Sequence, residues 1–240
     1  MKNLLKVISL ISALFSAASV IAEPIFHEKR YPSGEGPFPA VILLHTSGGF
    51  DTVVPQLKVY TERGYAAYAP DFFSRHKITK ASRFDTWTKY RKDIERELIE
   101  IVEIMRADPK INKVNIFAVG FSNGGYWATF LAAQNHVNAG ASHYGVWKWP
   151  SWNGYPVQYL SRDSNSVLAL HGDGDSIQKM SRVSGQLHSA ETKSPKFKKV
   201  IFPTAGHSWD CPRCRKDGYD PGVTQKALDL TIEFFENHKK

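Results

Sequence analysis

Cysteine is almost missing from the chain. Only Cys211 and Cys214 occur in 240 residues, together in "CPRC". A lone Cys-x-x-Cys supplies half of a structural zinc site, and the sequence has no second half to complete it. A thioredoxin-like redox centre is disfavoured as well, because the pair lies far down the chain with no strong helix start behind it. Internal repeats, long linkers and blocks of like charge are also lacking, which leaves no boundary at which to divide the chain. The 31 lysines and arginines give a net charge of +8, yet apart from "KFKK" at 196–199 they are scattered, and no nucleic-acid-reading motif accompanies them. The basic balance therefore reads as a solvated surface, and no nucleic-acid partner is expected.

Long apolar runs are confined to the start. "MKNLLKVISLISALFSAASVIAEP" has a lysine-bearing head, an apolar stretch from Val7 and small residues before Glu23, with Val20 and Ala22 at the −3 and −1 positions. This is the pattern of a cleaved secretory leader over residues 1–22. The stretch is short for a bilayer span and rich in serine, so no stable membrane anchor is expected after cleavage. Residues 23–240 are then one exported unit, secreted or periplasmic. In an oxidising compartment Cys211 and Cys214 are expected to form a small local disulfide.

The remaining chain, 42% hydrophobic overall, is large enough for a full core. Short apolar runs at 39–45, 65–70, 114–120, 139–146, 166–172 and 199–203 are uniform rather than alternating, as in strands of a parallel sheet covered on both faces. Helical patterns fall between them at 53–63, 85–109, 124–135 and 223–237. The clearest is 85–109, where Ile94, Leu98, Ile101 and Met105 recur at helical spacing, with Asp85 as a candidate N-cap and Pro109 as a stop. Strand and helix in turn predict an α/β three-layer sandwich with a mostly parallel central sheet. In such sheets, sites form beyond the C-terminal strand ends.

Chemistry-bearing residues fall at those ends. "VGFSNGGYWA" (119–128) runs from an apolar strand into a glycine-rich turn with Ser122 at its apex, then into a helix pattern. A free serine hydroxyl is a weak nucleophile, so a strained, exposed position beside a base is a useful arrangement. The turn aims the Asn123 N–H at the place where an oxyanion would develop. An acid and a base should follow in that order. "LALHGDGDSI" supplies Asp175, with Asp173 as the runner-up, and "VIFPTAGHSWD" supplies His207. His171 is expected to order its loop rather than act as base. "VILLHTSGGF" offers a second oxyanion donor in the Thr46 N–H.

Together, "VILLHTSGGF", "RGYAAYAPDFFSR", "VGFSNGGYWA", "HYGVW", "LALHGDGD" and "AGHSW" resemble the dienelactone hydrolase family of α/β-hydrolases over most of residues 39–235. The resemblance implies a catalytic triad of Ser122, His207 and Asp175, oxyanion donors at Thr46 and Asn123, and hydrolysis of a small carboxylic ester or lactone through an acyl-enzyme. It implies neither metal nor organic cofactor. Members that cleave dienelactone carry cysteine where this chain has Ser122, glutamate at His45 and arginine at Cys211, so dienelactone itself is not the expected substrate. His45, Phe72, Arg75, Trp147, Trp149 and Trp209 are candidates for the substrate pocket, and Trp152 and Tyr155 extend the same aromatic loop. The alternatives are an acyltransferase or peptidase on the same triad, or a non-catalytic binding protein on the same fold.

Overall fold

Uniform apolar runs become strands buried on both faces, and the helical patterns cover them. The computed structural model describes residues 23–149, 154–214 and 218–240, so the expected leader at 1–22 and Trp152 lie outside the described residues. Seven strands form one sheet: β1 (His27–Arg30), β2 (Phe38–Leu44), β3 (Ala66–Pro70), β4 (Ile111–Phe121), β5 (Ala139–His143), β6 (Ser166–Gly172) and β7 (Phe197–Phe202). Their order is β1-β3-β2-β4-β5-β6-β7. β1 runs antiparallel to β3, and every other pairing is parallel. Five helices complete the three layers: α1 (Val54–Thr61), α2 (Arg91–Ala107), α3 (Asn123–Ala133), α4 (Met180–Lys193) and α5 (Pro221–Glu236).

Alternation along the central strands divides the core in two. Ala40, Ile42 and Leu44 of β2 face a cluster with Leu98 of α2, Trp127 of α3 and Leu187 of α4. Val41 and Leu43 face the opposite cluster, with Leu57 of α1 and Phe235 of α5. Successive side chains on a strand point to opposite faces, so a strand with helices on both sides must be apolar throughout. Burying one large aliphatic side chain contributes about 1.5–3 kcal/mol.

Two elements carry almost no sequence signal. β1 is the polar tetrapeptide His-Glu-Lys-Arg and forms by pairing with the edge of β3. α4 buries only Val183, Leu187 and Ala190 among serines and a glycine, so its apolar stripe is thin. The helix expected from Asp85 begins later. Residues Arg83–Thr86 form a 3₁₀ turn, and α2 starts at Arg91 with Tyr90 as N-cap. Thr86 and Trp87 are buried instead of continuing the helix, and Thr86 Oγ1 accepts the Trp127 indole N–H at 3.1 Å.

Asp108, at the end of α2, ties the antiparallel edge to the sheet. Its Oδ2 accepts the Tyr31 hydroxyl, the Tyr68 hydroxyl (2.5 Å) and the Lys29 ammonium (3.0 Å), and its Oδ1 accepts the Lys110 N–H at 2.9 Å. Burial alone would raise this carboxyl, but the Tyr31 and Tyr68 hydroxyls, with Lys110 N–H and Lys29, hold it well below the carboxylate range. An acid lowered by folding contributes stability above the unfolded value of about 3.9, and that contribution is lost as pH falls through the folded value. Asp108→Asn should therefore lower the Tm at pH 7, and the gap from wild type should narrow progressively as pH falls below about 4. Melting curves across pH test this; a gap that does not change with pH contradicts the assignment.

Candidate active site

The turn between β4 and α3 leaves no room for side chains on its flanks. A Cβ on Gly120 would stand 1.9 Å from the Gly124 carbonyl oxygen, and one on Gly124 would stand 2.0 Å from the Leu44 carbonyl oxygen. The Gly-x-Ser-x-Gly spacing is thus a requirement of backbone contact. Ser122 has φ +52° and ψ −108°, a conformation that costs a non-glycine residue about 1–3 kcal/mol. Three backbone hydrogen bonds hold it there. Its N–H donates to His143 O (3.0 Å), and its C=O accepts from Gly125 N (3.0 Å) and Val146 N (3.1 Å).

His207 follows β7 and Asp175 follows β6, so the parallel sheet delivers all three side chains to one end. His207 Nε2 lies 2.9 Å from Ser122 Oγ, and His207 Nδ1 lies 2.7 Å from Asp175 Oδ2. Carboxylate chemistry assigns the Nδ1 proton to the bond with Asp175, leaving Nε2 as acceptor for the serine hydroxyl. Asp175 Oδ1 accepts two backbone donors, Ile177 N (2.8 Å) and Gln178 N (2.7 Å). Burial raises the Asp175 carboxyl, but the hydrogen bond and charge of His207, with the Gln178 N–H, bring it below its ordinary value. Asp173 instead fastens the turn, where its Oδ1 accepts the Thr204 N–H.

Sequence reasoning missed Gln178, which is wholly buried. Besides its N–H on Asp175, its Oε1 accepts Trp147 N (3.0 Å) and Lys148 N (3.2 Å), and its C=O pairs with His171 Nε2 at 2.8 Å. Gln178 therefore joins the acid loop to the segment after β5. His171 orders that loop, as expected. No motif marks a glutamine in such a position; only the fold brings these partners to it.

The two expected oxyanion donors differ. Asn123 is the first residue of α3, so its N–H has no acceptor within the helix. The Thr46 N–H instead donates to Thr52 Oγ1 at 3.1 Å, and Thr46 Oγ1 bonds the same hydroxyl. The Thr46 N–H is thus engaged within its own loop.

The pocket candidates all find partners within the protein. His45 is fully buried and stacks on buried Phe72, with ring centroids 3.7 Å apart, so both support the loop from below. Burial lowers the His45 imidazole to about 4, against the raising effects of the Thr46 carbonyl and Asp71, so it is neutral at pH 7 and no electrostatic match for a glutamate. Arg75 is held by Glu97 at 3.2 Å and by the Glu23 carbonyl. Trp147 is core, packed edge-on against Phe197 at 5.6 Å. Trp149 lies between Phe84 (4.9 Å) and Arg182 (5.6 Å). Trp209 is buried behind His207 against Tyr144 and Phe202. Half-buried Tyr155 packs on the core. Residue type announces an aromatic wall, whereas burial decides which face it serves. A cavity of about 270 Å³ lies elsewhere, between the loops after β2 and β3, with Ser47, Phe50, Asp71, Phe73 and Lys80 among its lining residues. Ser47 Oγ accepts the Asn123 side-chain amide at 3.4 Å, which places this cavity beside the serine turn.

Cys211 and Cys214 are bonded, with Cα atoms 5.2 Å apart, on the loop that follows His207.

Residues 29–239 match the family model described as the dienelactone hydrolase family. Among solved structures, a dienelactone hydrolase-like promiscuous phosphotriesterase, P91, from metagenomic libraries is 20% identical with TM-score 0.70, over 89% of this chain and 92% of its own. Esterase 2 of Thermogutta terrifontis, phosphonylated by cyclosarin, is 17% identical with TM-score 0.68, over 88% of each chain. No curated protein matches.

The elbow contacts give a direct test. Gly124→Ala forces a methyl into the Leu44 carbonyl and should destabilise the protein by about 2–4 kcal/mol, whereas Gly185→Ala, in open space on α4, should be neutral or mildly stabilising. Denaturant melts of both variants decide it, and equal stabilities would contradict the packing.

Proposed function

The chain belongs to the dienelactone hydrolase family, and on that footing we propose that it is an exported serine hydrolase that cleaves small carboxylic esters or lactones through an acyl-enzyme. The observation that carries this reading is the unbroken relay from Ser122 Oγ through His207 to Asp175, with contacts of 2.9 and 2.7 Å. His207 Nε2 takes the hydroxyl proton as Ser122 attacks the carbonyl carbon. Asp175 holds the Nδ1–H and stabilises the imidazolium. The Asn123 N–H meets the developing oxyanion at the N-terminus of α3, where the helix dipole adds to it. A second donor at Thr46 requires its N–H to exchange Thr52 Oγ1 for the substrate oxygen; such a donor is worth about 3 kcal/mol of the barrier. His207 then protonates the leaving alcohol, and water activated by the same imidazole releases the acid.

Two structures of one fold neighbour support the reading. Thermogutta terrifontis esterase 2 is known phosphonylated by cyclosarin and with propionate bound. Export rests on the leader pattern at 1–22 and on the Cys211–Cys214 bond, since disulfides persist in oxidising compartments.

A fluorophosphonate probe should label folded wild type at Ser122 and leave Ser122→Ala unlabelled. With p-nitrophenyl esters of increasing acyl length, Ser122→Ala should lose about 10³-fold or more in kcat. Wild type that neither takes the label nor hydrolyses any ester of the series would overturn the reading.

A further inference from the structure

Tyr144, directly after β5, is buried and sits at φ +37°, a rare conformation for a bulky aromatic residue. Its N–H donates to Leu170 O at 2.8 Å. Its ring meets the His207 ring at 4.9 Å and 63°, an edge contact. At its far end the hydroxyl donates a short hydrogen bond to Asp210 Oδ1. Asp210 Oδ2 in turn accepts the Gln56 side-chain amide at 3.0 Å. A chain of contacts thus runs from α1 through a carboxylate and a phenol to the proposed general base. Trp209 closes it from the side at 4.8 Å from the Tyr144 ring. Asp210 and Gln56 also line a cleft of about 420 Å³ between α1 and α5, on the side of the sheet where Trp209 is buried.

We propose that Tyr144 and Asp210 are positioning residues for His207: the Asp210 carboxyl group anchors the phenol, and the phenol ring seats the imidazole. The proposal rests on the serine-hydrolase reading above. A backbone conformation that disfavours tyrosine is kept where that residue touches the proposed base, and strain of this kind is retained where the surroundings over-determine it. Asp175 fixes one edge of the imidazole, and Tyr144 gives it a second support. Among the described residues, charged and titratable groups around the pair are few. Asp175, His171 and Ser122 surround His207; Tyr60, Glu62 and Arg63 of the α1 region line the Asp210 side. Burial holds the Tyr144 phenol well above its ordinary range, so the proton of this hydrogen bond stays on the tyrosine; burial also leaves the Asp210 carboxyl above its ordinary value, outweighing the Tyr144 hydrogen bond and His207, which lower it.

The test uses Asp210→Asn, Tyr144→Phe, their double variant and Gln56→Leu on the full chain, with p-nitrophenyl acetate as substrate. Each single core variant should lower kcat about 10-fold with KM within about twofold, and the double should fall no further than the worse single, as expected of residues acting in series. The loss should fall on kcat while KM holds, a split that a merely structural role would not produce. Gln56→Leu, at the outer end of the chain of contacts, should give a smaller change in the same direction and carries the test if the core variants do not fold. NMR of the His207 ring protons reads the loss of the Tyr144 support without turnover, as resonances displaced from wild type, so it decides the proposal even if wild type hydrolyses no ester. Wild-type kcat and unmoved His207 ring-proton resonances in the folded variants, or losses that multiply in the double, would overturn it.

Discussion

The arrangement depends on one close approach, that of the first turn of α3 to the backbones of β2 and β4. Gly120 and Gly124 meet each other and Leu44 at distances that exclude even a methyl group. Because the helix sits so near the sheet, the chain can turn only by placing Ser122 in its strained conformation, with the hydroxyl held out from the strand end. The hydrogen bonds from Ser122 to His143, Gly125 and Val146 then fasten the loops after β4 and β5 to one another. The strain at one residue is offset by many contacts around it, and this pre-organisation is what a serine nucleophile needs.

From that point the parallel sheet does the assembly. β4, β6 and β7 all end on the same side, so partners 85 and 32 positions apart meet without any dedicated connector. Three other histidines stand near these strand ends. His45, His143 and His171 are buried, and desolvation lowers each of them, His45 to about 4 and His143 to about 3. Such imidazoles are neutral supports: His143 bonds Thr231 and His171 bonds the Gln178 carbonyl. His207 differs by having a carboxylate on Nδ1 and a serine on Nε2. Environment, and not residue type, separates the candidate base from its neighbours.

That distinction also explains what the sequence could disclose. The central strands were legible because burial on both faces demands uniform apolarity, and the serine turn because its glycines answer a local steric demand. Ser122, Asp175 and His207 follow from strand ends taken in order. β1 was illegible because a four-residue polar edge strand is created by its partner, and α4 because only three of its side chains are buried. The partners that the six pocket candidates find within the protein were illegible for a common reason. Whether an arginine faces substrate or Glu97, or an indole lines a cavity or fills a core, depends on partners distant in the chain. Gln178 was invisible on the same ground, since its significance lies wholly in the backbone groups brought to it.

Thr46 shows how a site can be assembled and yet not poised. Its N–H, placed on the loop after β2 where a second oxyanion donor would stand, is satisfied by Thr52 Oγ1, whose own proton goes to the Gly49 carbonyl at 2.8 Å. The exchange needed for catalysis is isoenergetic to first order, because one neutral acceptor replaces another. It becomes favourable only when the incoming oxygen carries charge, since hydrogen bonds to ionised acceptors are roughly twice as strong as neutral ones. On the proposed mechanism, a loop held in this way would discriminate between ground state and transition state, giving its donor to the oxyanion in preference to the ester carbonyl. Binding energy released only in the transition state is the kind that accelerates a reaction.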